Sequence, residues 1–265
     1  MTKAVIRGIE IAYDDVGSGT PVVLLHGYPF NRTMWSDQVE ALSPRHRVLS
    51  VDLRGHGESS VSDGPATMEE MAKDVSALME KLAISRAAIC GLSMGGYVTL
   101  ALYKMFPLRA RAVVLADTRA SADSDEGRAN REVQAQKALQ EGMEGIADAM
   151  LSKLVSLKTV ARNPAAVARV REMILKTNPE GAAAALRGMA QRRDQTQFLS
   201  RIVAPALILV GREDAITPVA DAEIMRREIG GSRLAVIEDA GHVSNIEQPE
   251  AFSHAMTRFL SDLEA

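Results

Sequence analysis

The sequence predicts an α/β fold: a mostly parallel sheet of about eight strands, flanked by helices, with a block of helices inserted between two late strands. Three observations carry this reading. Short apolar runs bounded by Gly or Pro recur along the chain, as in "PVVLLHG" and "PALILVG", the pattern of strands buried on both faces. Helical stretches alternate with them, which implies parallel strands covered on both sides. One stretch, from about residue 120 to 200, has no strand pattern at all.

The elements follow in order. The chain opens on a hairpin: "KAVIRG" and "EIAYDDVG" alternate apolar and polar residues and stop at "GSGTP". The buried strand "PVVLLHG" comes next, then "RVLSVDLRG", "RAAICGLS", "ARAVVLADT", "APALILVGRED" and "SRLAVIEDAGH". Thr67, with Glu70 three residues on, forms a capping box before "MAKDVSALMEKL". The helix "MGGYVTLALYKMFP" stops at Pro107, and Pro218 and Pro249 open two late helices, where a missing N–H costs nothing. In the strandless stretch, Leu139, Met143, Ile146, Met150 and Leu154 are spaced by four, three, four and four, which predicts one helix face carrying all five. Pro164 and Pro179 punctuate two more helices. The predicted division is a core of residues 1–119 and 201–265 with a helical insertion at 120–200. The insertion is either extra packing or a lid; we favour the lid, because ligands of open α/β sheets bind at the carboxyl ends of the strands.

Composition narrows the function. Of 265 residues, 46% are hydrophobic and 25% charged, and the net charge is −3, a balance suited to a soluble globular protein. Lys and Arg are scattered rather than gathered in a stripe, so no nucleic-acid partner is expected. The apolar runs are too short to span a bilayer, and "MTKAVIRGIE" lacks the apolar core of a signal peptide. The single cysteine, Cys90, forbids an intrachain disulfide and a cysteine zinc cage. A reducing, cytoplasmic setting is expected. Oligomeric state has no sequence signature here.

The chemistry centres on "CGLSMGGY". Gly91-Leu92-Ser93-Met94-Gly95 stands between an apolar strand and a helix, the context of a nucleophile elbow. The serine hydroxyl must rise above the sheet on a strained turn, so the residues two before and two after it must be small. A serine needs a base. Of five histidines, His242 in "EDAGHVSN" follows the last strand run and reaches the same sheet edge. His26, His46, His56 and His254 fit loop or surface roles better. The base needs an acid to fix its tautomer. Asp214, after "LVGRE", is the favoured acid; Asp117, at the end of "ARAVVLAD", and the adjacent Glu213 are competitors. The tetrahedral oxyanion needs two donors. The backbone N–H of Met94, at a helix N-terminus, is one; the N–H of Tyr28, in the loop after "VVLL", is the other, and the Tyr28 ring should also line the pocket.

Other polar positions have plainer readings. Asp52, Arg54, His56 and Glu58 in "DLRGHGESS" resemble a metal or acid–base cluster, but a glycine-broken loop also uses such side chains to satisfy its own backbone, and that is the preferred reading. Cys90 reads as a small buried hydrophobe. Trp35 reads as packing, with an edge of the pocket as the alternative. Met143 and Met150 are candidate substrate-binding residues in the insertion.

Together, "LLHGYPFNRTMW", "VDLRGHGES", "GLSMGGYV", "LVGREDAITP" and "AGHVSNIEQPEAF" resemble the α/β-hydrolase superfamily over most of the chain. The pattern is most similar to its serine esterase, enol-lactonase and cofactor-free haloperoxidase branch. That resemblance implies the triad Ser93, Asp214 and His242, an oxyanion hole from Tyr28 and Met94, and no metal or organic cofactor. It implies a small-molecule ester or lactone as substrate. Dehalogenases and epoxide hydrolases of the fold carry aspartate at the elbow, so Ser93 argues against both. Carbon–carbon hydrolysis, a lyase step or perhydrolysis by the same triad is the alternative, and a ligand-sensing receptor with residual turnover is a further one.

Overall fold

The computed structural model describes residues 2–264. The hairpin is present: β1 (Thr2–Ile6) and β2 (Ile9–Val16) pair antiparallel. Six more strands follow: β3 (Thr20–Leu25), β4 (His46–Val51), β5 (Ala87–Leu92), β6 (Ala110–Ala116), β7 (Ala206–Gly211) and β8 (Arg233–Ile237). They form one eight-stranded sheet in the order β1-β2-β4-β3-β5-β6-β7-β8. β2 runs antiparallel to β4, and every later pairing is parallel.

Helices cover the sheet. α1 (Ser36–Leu42), α2 (Met68–Lys81), α3 (Met94–Met105), α9 (Val219–Glu228), the short α10 (Ser244–Glu247) and α11 (Pro249–Asp262) belong to the core. α2 shows why: Met68, Met71, Ala72, Val75, Leu78 and Met79 are buried, and their spacing makes one apolar face. Its predicted capping box is only half formed. Thr67 Oγ1 accepts from the Glu70 N–H at 3.2 Å, but the Glu70 carboxylate turns to Arg7 and Lys73 instead. Two cations are stronger partners than one backbone N–H. Trp35 is fully buried, its ring 6.0 Å from Phe252, so packing is its role.

Between β6 and β7 lie α4 (Asp125–Glu141), α5 (Glu144–Leu154), α6 (Leu157–Arg162), α7 (Pro164–Leu175) and α8 (Pro179–Ala190), with no strand among them. The single five-residue helix face predicted across 139–154 is corrected here. Gly142, at φ 77° and ψ −163°, ends α4, a positive-φ conformation that glycine adopts freely. Leu139 therefore belongs to α4 and is exposed, while Ile146 and Leu154 are buried on α5. Pro218 is also one residue earlier than expected, capping α9 rather than standing inside it.

The inserted helices are fastened to the core at several points. Thr177 Oγ1 donates to the Pro29 carbonyl at 2.6 Å, and the Ala66 N–H donates to the Ala184 carbonyl at 2.9 Å. Gly181 packs so closely on Gly55 that a Cβ on it would lie 1.8 Å from the Gly55 carbonyl oxygen.

Candidate active site

Parallel registers bring the carboxyl ends of β3, β5, β6 and β7 to one edge: Leu25 pairs with Gly91, Gly91 with Leu115, and Leu115 with Ile208. Everything that leaves this edge can meet, and Ser93, Asp117, Asp214 and the loop from Leu25 to Tyr28 all leave it.

Ser93 holds φ 53° and ψ −114°, a strained conformation for a residue with a side chain. The glycines around it explain the spacing seen in the sequence. A Cβ on Gly91 would lie 2.0 Å from the Gly95 carbonyl oxygen, and one on Gly95 would lie 2.1 Å from that of Leu25. No side chain fits at either position. The Ser93 N–H bonds the Ala116 carbonyl at 2.9 Å, and the Thr118 hydroxyl donates to the Ser93 carbonyl at 2.8 Å, so the strained turn is held from both sides.

The Ser93 hydroxyl meets His242 Nε2 at 2.8 Å, and His242 Nδ1 meets Asp214 Oδ2 at 2.8 Å. With the proton on Nδ1, the imidazole donates to Asp214 and accepts from Ser93. Asp214 is fixed independently, accepting from the N–H groups of Ile216 and Thr217 and from the Thr217 hydroxyl at 2.8, 2.9 and 2.7 Å. Burial works against the charge on His242, but the charge of Asp214 and its hydrogen bond outweigh this and lift the imidazole above its ordinary value. Burial likewise opposes ionisation of Asp214, and His242 reverses it, holding the carboxyl below its ordinary value.

Asp117 is the buried neighbour. It accepts from the Gly211 N–H at 2.8 Å and from the Ser244 hydroxyl at 2.5 Å. Burial, and then the charge of Asp214, push its carboxyl well above the usual carboxylate range. Glu213 points to solvent.

The loop after β3 crosses Ser93 closely: a Cβ on Gly27 would lie 3.3 Å from the Ser93 Cβ. The Phe30 N–H closes a turn on the Gly27 carbonyl at 2.9 Å, which leaves the Tyr28 N–H outside that bond. Met94 opens α3, and first-turn amides have no intrahelical acceptor.

These features are those of an α/β-hydrolase, and the comparison with known proteins agrees. The family model for the alpha/beta hydrolase fold matches residues 20–249. The chain belongs to the α/β-hydrolase family. It is 33% identical over 226 residues to 3-oxoadipate enol-lactonase 2 of Acinetobacter baylyi, covering 85% of this chain and 83% of that one. Among solved structures it is similar to a thermophilic esterase from Thermogutta terrifontis, with TM-score 0.98, 42% identity and all of both chains covered. It is also similar to the enol-lactonase from Burkholderia xenovorans, with TM-score 0.92, 35% identity, and 98% of this chain and all of that one covered.

The remaining polar positions of this α/β-hydrolase are committed to its loops. His26 Nδ1–H donates to the Gly27 carbonyl at 2.9 Å, and its Nε2 accepts from the Leu53 N–H at 3.0 Å. Burial pulls its pKa down to about 4, and that of His56 to about 3, so both rings are neutral. Asp52 accepts from the Arg32 and Glu58 N–H groups at 2.7 and 2.9 Å, while Arg54 pairs with Asp74 at 2.6 Å. His46, expected in a turn, instead opens β4 and is buried. His254 is exposed. Cys90 is buried, and burial pushes its thiol far up. Met143 is buried at the start of α5, and Met150 is half-buried on the same helix against the core.

Two further buried groups have no counterpart in the sequence reading. Glu247 is buried and accepts from the Gly241 N–H on one oxygen and from the Ser156 N–H and Thr159 hydroxyl on the other, each at 2.7 Å. The Leu154 carbonyl at the end of α5 accepts the His242 N–H at 2.9 Å. The loop bearing His242 is thus tied to the inserted helices. The other group is Asp123, which three arginines surround. The only sequence signal for Glu247 was its place five residues after His242; for Asp123 there was none.

Proposed function

We propose that the chain hydrolyses carboxylic esters or lactones through an acyl-enzyme on Ser93. One observation carries this: the hydrogen-bonded series from Ser93 Oγ through His242 to Asp214, each step 2.8 Å, on a strained turn between a strand and a helix. The order Ser, Asp, His along the chain is the one that α/β-hydrolases use.

In this reading, His242 Nε2 takes the Ser93 proton as Oγ attacks the substrate carbonyl. The oxyanion forms against the backbone amides of Tyr28 and Met94. His242 then returns the proton to the departing alkoxide. Water, deprotonated by His242, attacks the acyl-enzyme and releases the acid. Asp214 keeps the imidazole in the productive tautomer and stabilises the imidazolium. The enol-lactonase and esterase relatives support ester and lactone bonds as the target.

We assign the helices between β6 and β7 the role of a cap over the site. Their fastening to Pro29, Gly55, Ala66 and the His242 loop supports a fixed roof. A lining role for Met143 and Met150 rests on their sharing α5 with Leu154, whose carbonyl touches that loop. No helix among the described residues is long and apolar enough to cross a membrane. The cytoplasmic setting is part of the proposal, supported by the buried Cys90 as the single cysteine, which leaves no disulfide to maintain.

The test is turnover of p-nitrophenyl esters and of lactones by wild type and Ser93→Ala. Hydrolysis by wild type and its loss in the variant are expected; full activity in Ser93→Ala overturns the assignment.

A further inference from the structure

The end of β6 touches all three loops that carry the triad. The Ala116 carbonyl accepts the Ser93 N–H at 2.9 Å, and the Thr118 hydroxyl donates to the Ser93 carbonyl at 2.8 Å. Between these two residues stands Asp117, fully buried. One of its carboxyl oxygens accepts the N–H of Gly211 at 2.8 Å. Gly211 is the last residue of β7, in the same loop entry as Asp214. The other oxygen accepts the Ser244 hydroxyl at 2.5 Å and faces the Ser244 N–H at 3.4 Å. Ser244 is fully buried as well and opens α10, directly after His242 and Val243. One side chain thus joins the loop of the acid to the loop of the base, and its neighbours in the chain hold the nucleophile.

Two features of Asp117 work against the fold. Its φ is 43°, a left-handed backbone that residues with a side chain adopt only rarely. The Asp117 N–H still bonds the Leu209 carbonyl at 2.9 Å, so the sheet ladder runs on to this residue and the strain is local. Its carboxyl is also buried near a second carboxylate, that of Asp214, which burial alone would already disfavour. Strained residues persist where their surroundings over-determine them, and they gather at active sites. Here the strained turn delivers both oxygens to the two loops. The loops also meet directly, the Glu213 N–H donating to the Ala240 carbonyl at 2.8 Å. That bond lies before His242 in the chain; the bond from Ser244 to Asp117 lies after it. His242 is therefore held from both sides against the end of β7, and Asp117 supplies the second tie.

We propose that Asp117 is a positioning residue of the triad: by holding Gly211 and Ser244 at once, it fixes the distance from Asp214 to His242 Nδ1. Among the described residues it makes no hydrogen bond to Ser93 Oγ or to the His242 ring, so it acts through the loops alone. Its part is to form hydrogen bonds, and an amide of the same shape can form them too: the oxygen accepts from Gly211, and the NH₂ donates to the Ser244 hydroxyl. Asp214 differs, because the imidazolium needs its charge and its tautomer-fixing oxygen. This inference rests on the acyl-enzyme reading.

The test compares wild type with Asp117→Ala, Asp117→Asn and Ser244→Ala. Two quantities are read: kcat and KM on p-nitrophenyl butyrate, and the far-downfield proton NMR resonance of His242 Nδ1–H, the proton between His242 and Asp214. Asp117→Ala is expected to lower kcat on the order of 10²-fold, the effect of a loop shift of about an ångström, with KM nearly unchanged. Asp117→Asn is expected to recover most of that loss. Ser244→Ala removes one hydroxyl and no charge, and is expected to lower kcat by about tenfold. The resonance is expected to keep its place in Asp117→Asn and to shift or broaden in the two alanine variants. Wild-type kcat and an unmoved resonance in Ser244→Ala overturn the proposal, even where Asp117→Ala does not fold. A loss in folded Asp117→Asn as large as in Asp117→Ala also overturns it, since that marks a need for the charge. So does a change confined to KM, which marks contact with substrate. The resonance is recorded without substrate. If it moves as expected while wild type cleaves no ester, the positioning of His242 stands and only the hydrolase reading fails; if wild type is active and the resonance does not move in either alanine variant, the reverse holds.

Discussion

Glu247→Gln tests how the base is held. The carboxylate is buried and receives three donors at 2.7 Å, one of them the N–H of Gly241, the residue before His242. A glutamine presents one oxygen, so its NH₂ must face either Gly241 or the Ser156–Thr159 pair. At least one buried N–H then loses its acceptor and the rest lose their charge assistance, a loss of about 2–4 kcal/mol. For a chain of this size that lowers Tm by roughly 5–12 °C. The activity effect is separate. A shift of the His242 loop by about an ångström costs on the order of 10² in rate, so kcat should fall by about 10- to 100-fold with a smaller change in KM. The charge of Glu247 also favours protonated His242. Its removal lowers the imidazole pKa, so the acidic limb of the kcat/KM profile moves to lower pH. The assay is a pH–rate profile on a p-nitrophenyl ester, beside thermal unfolding. A folded variant with wild-type kcat and an unmoved acidic limb refutes the positioning role, whatever its Tm.

Asp214→Asn should lower kcat by about 10³- to 10⁴-fold, because it strands the imidazole in the wrong tautomer. Asp117→Asn should cost less than about tenfold, since burial already drives that carboxyl towards its neutral form; equal losses in the two variants contradict the choice of acid. Gly95→Ala places a Cβ 2.1 Å from the Leu25 carbonyl oxygen and should destabilise by about 3 kcal/mol or more, read by denaturant unfolding. A wild-type midpoint contradicts that packing. His26 and His56 have folded pKa values of about 4 and about 3, below the ordinary 6.5. The unfolded chain therefore binds more protons between these values, so stability is present above 6.5 and lost as the pH falls towards 4. Urea midpoints at about pH 7 and about pH 5 check the sign; a higher midpoint at the lower pH contradicts it.

The sequence disclosed those parts of the site that backbone geometry enforces. Gly91 and Gly95 are readable because the elbow leaves 2.0 and 2.1 Å where a side chain would go. Asp214 is readable because the buried strand β7 announces its own end, and His242 because it follows the apolar run of the edge strand β8, of which only Ile237 is buried. The strands themselves are legible in the same apolar runs, whereas their order in the sheet is a finding of the structure. What stayed hidden depends on contacts between distant segments. Arg119, Asp123, Arg131 and Arg192 come together only when α4 and α8 pack, and each alone resembles any surface charge. Glu247 sits in a polar stretch whose partners, Ser156 and Thr159, are about ninety residues earlier. The break at Gly142 was missed for a different reason: the apolar spacing from 139 to 154 continues through it, and only the φ of 77° separates the two helices.

The central claim is that Ser93 is the nucleophile activated by His242. Intact-mass and peptide analysis after reaction with a fluorophosphonate ester measures it most directly. One adduct, located on Ser93, formed quickly by wild type, slowly by His242→Ala and not at all by Ser93→Ala, is the predicted result. An adduct on another residue, or labelling of Ser93 at an unchanged rate in His242→Ala, contradicts it.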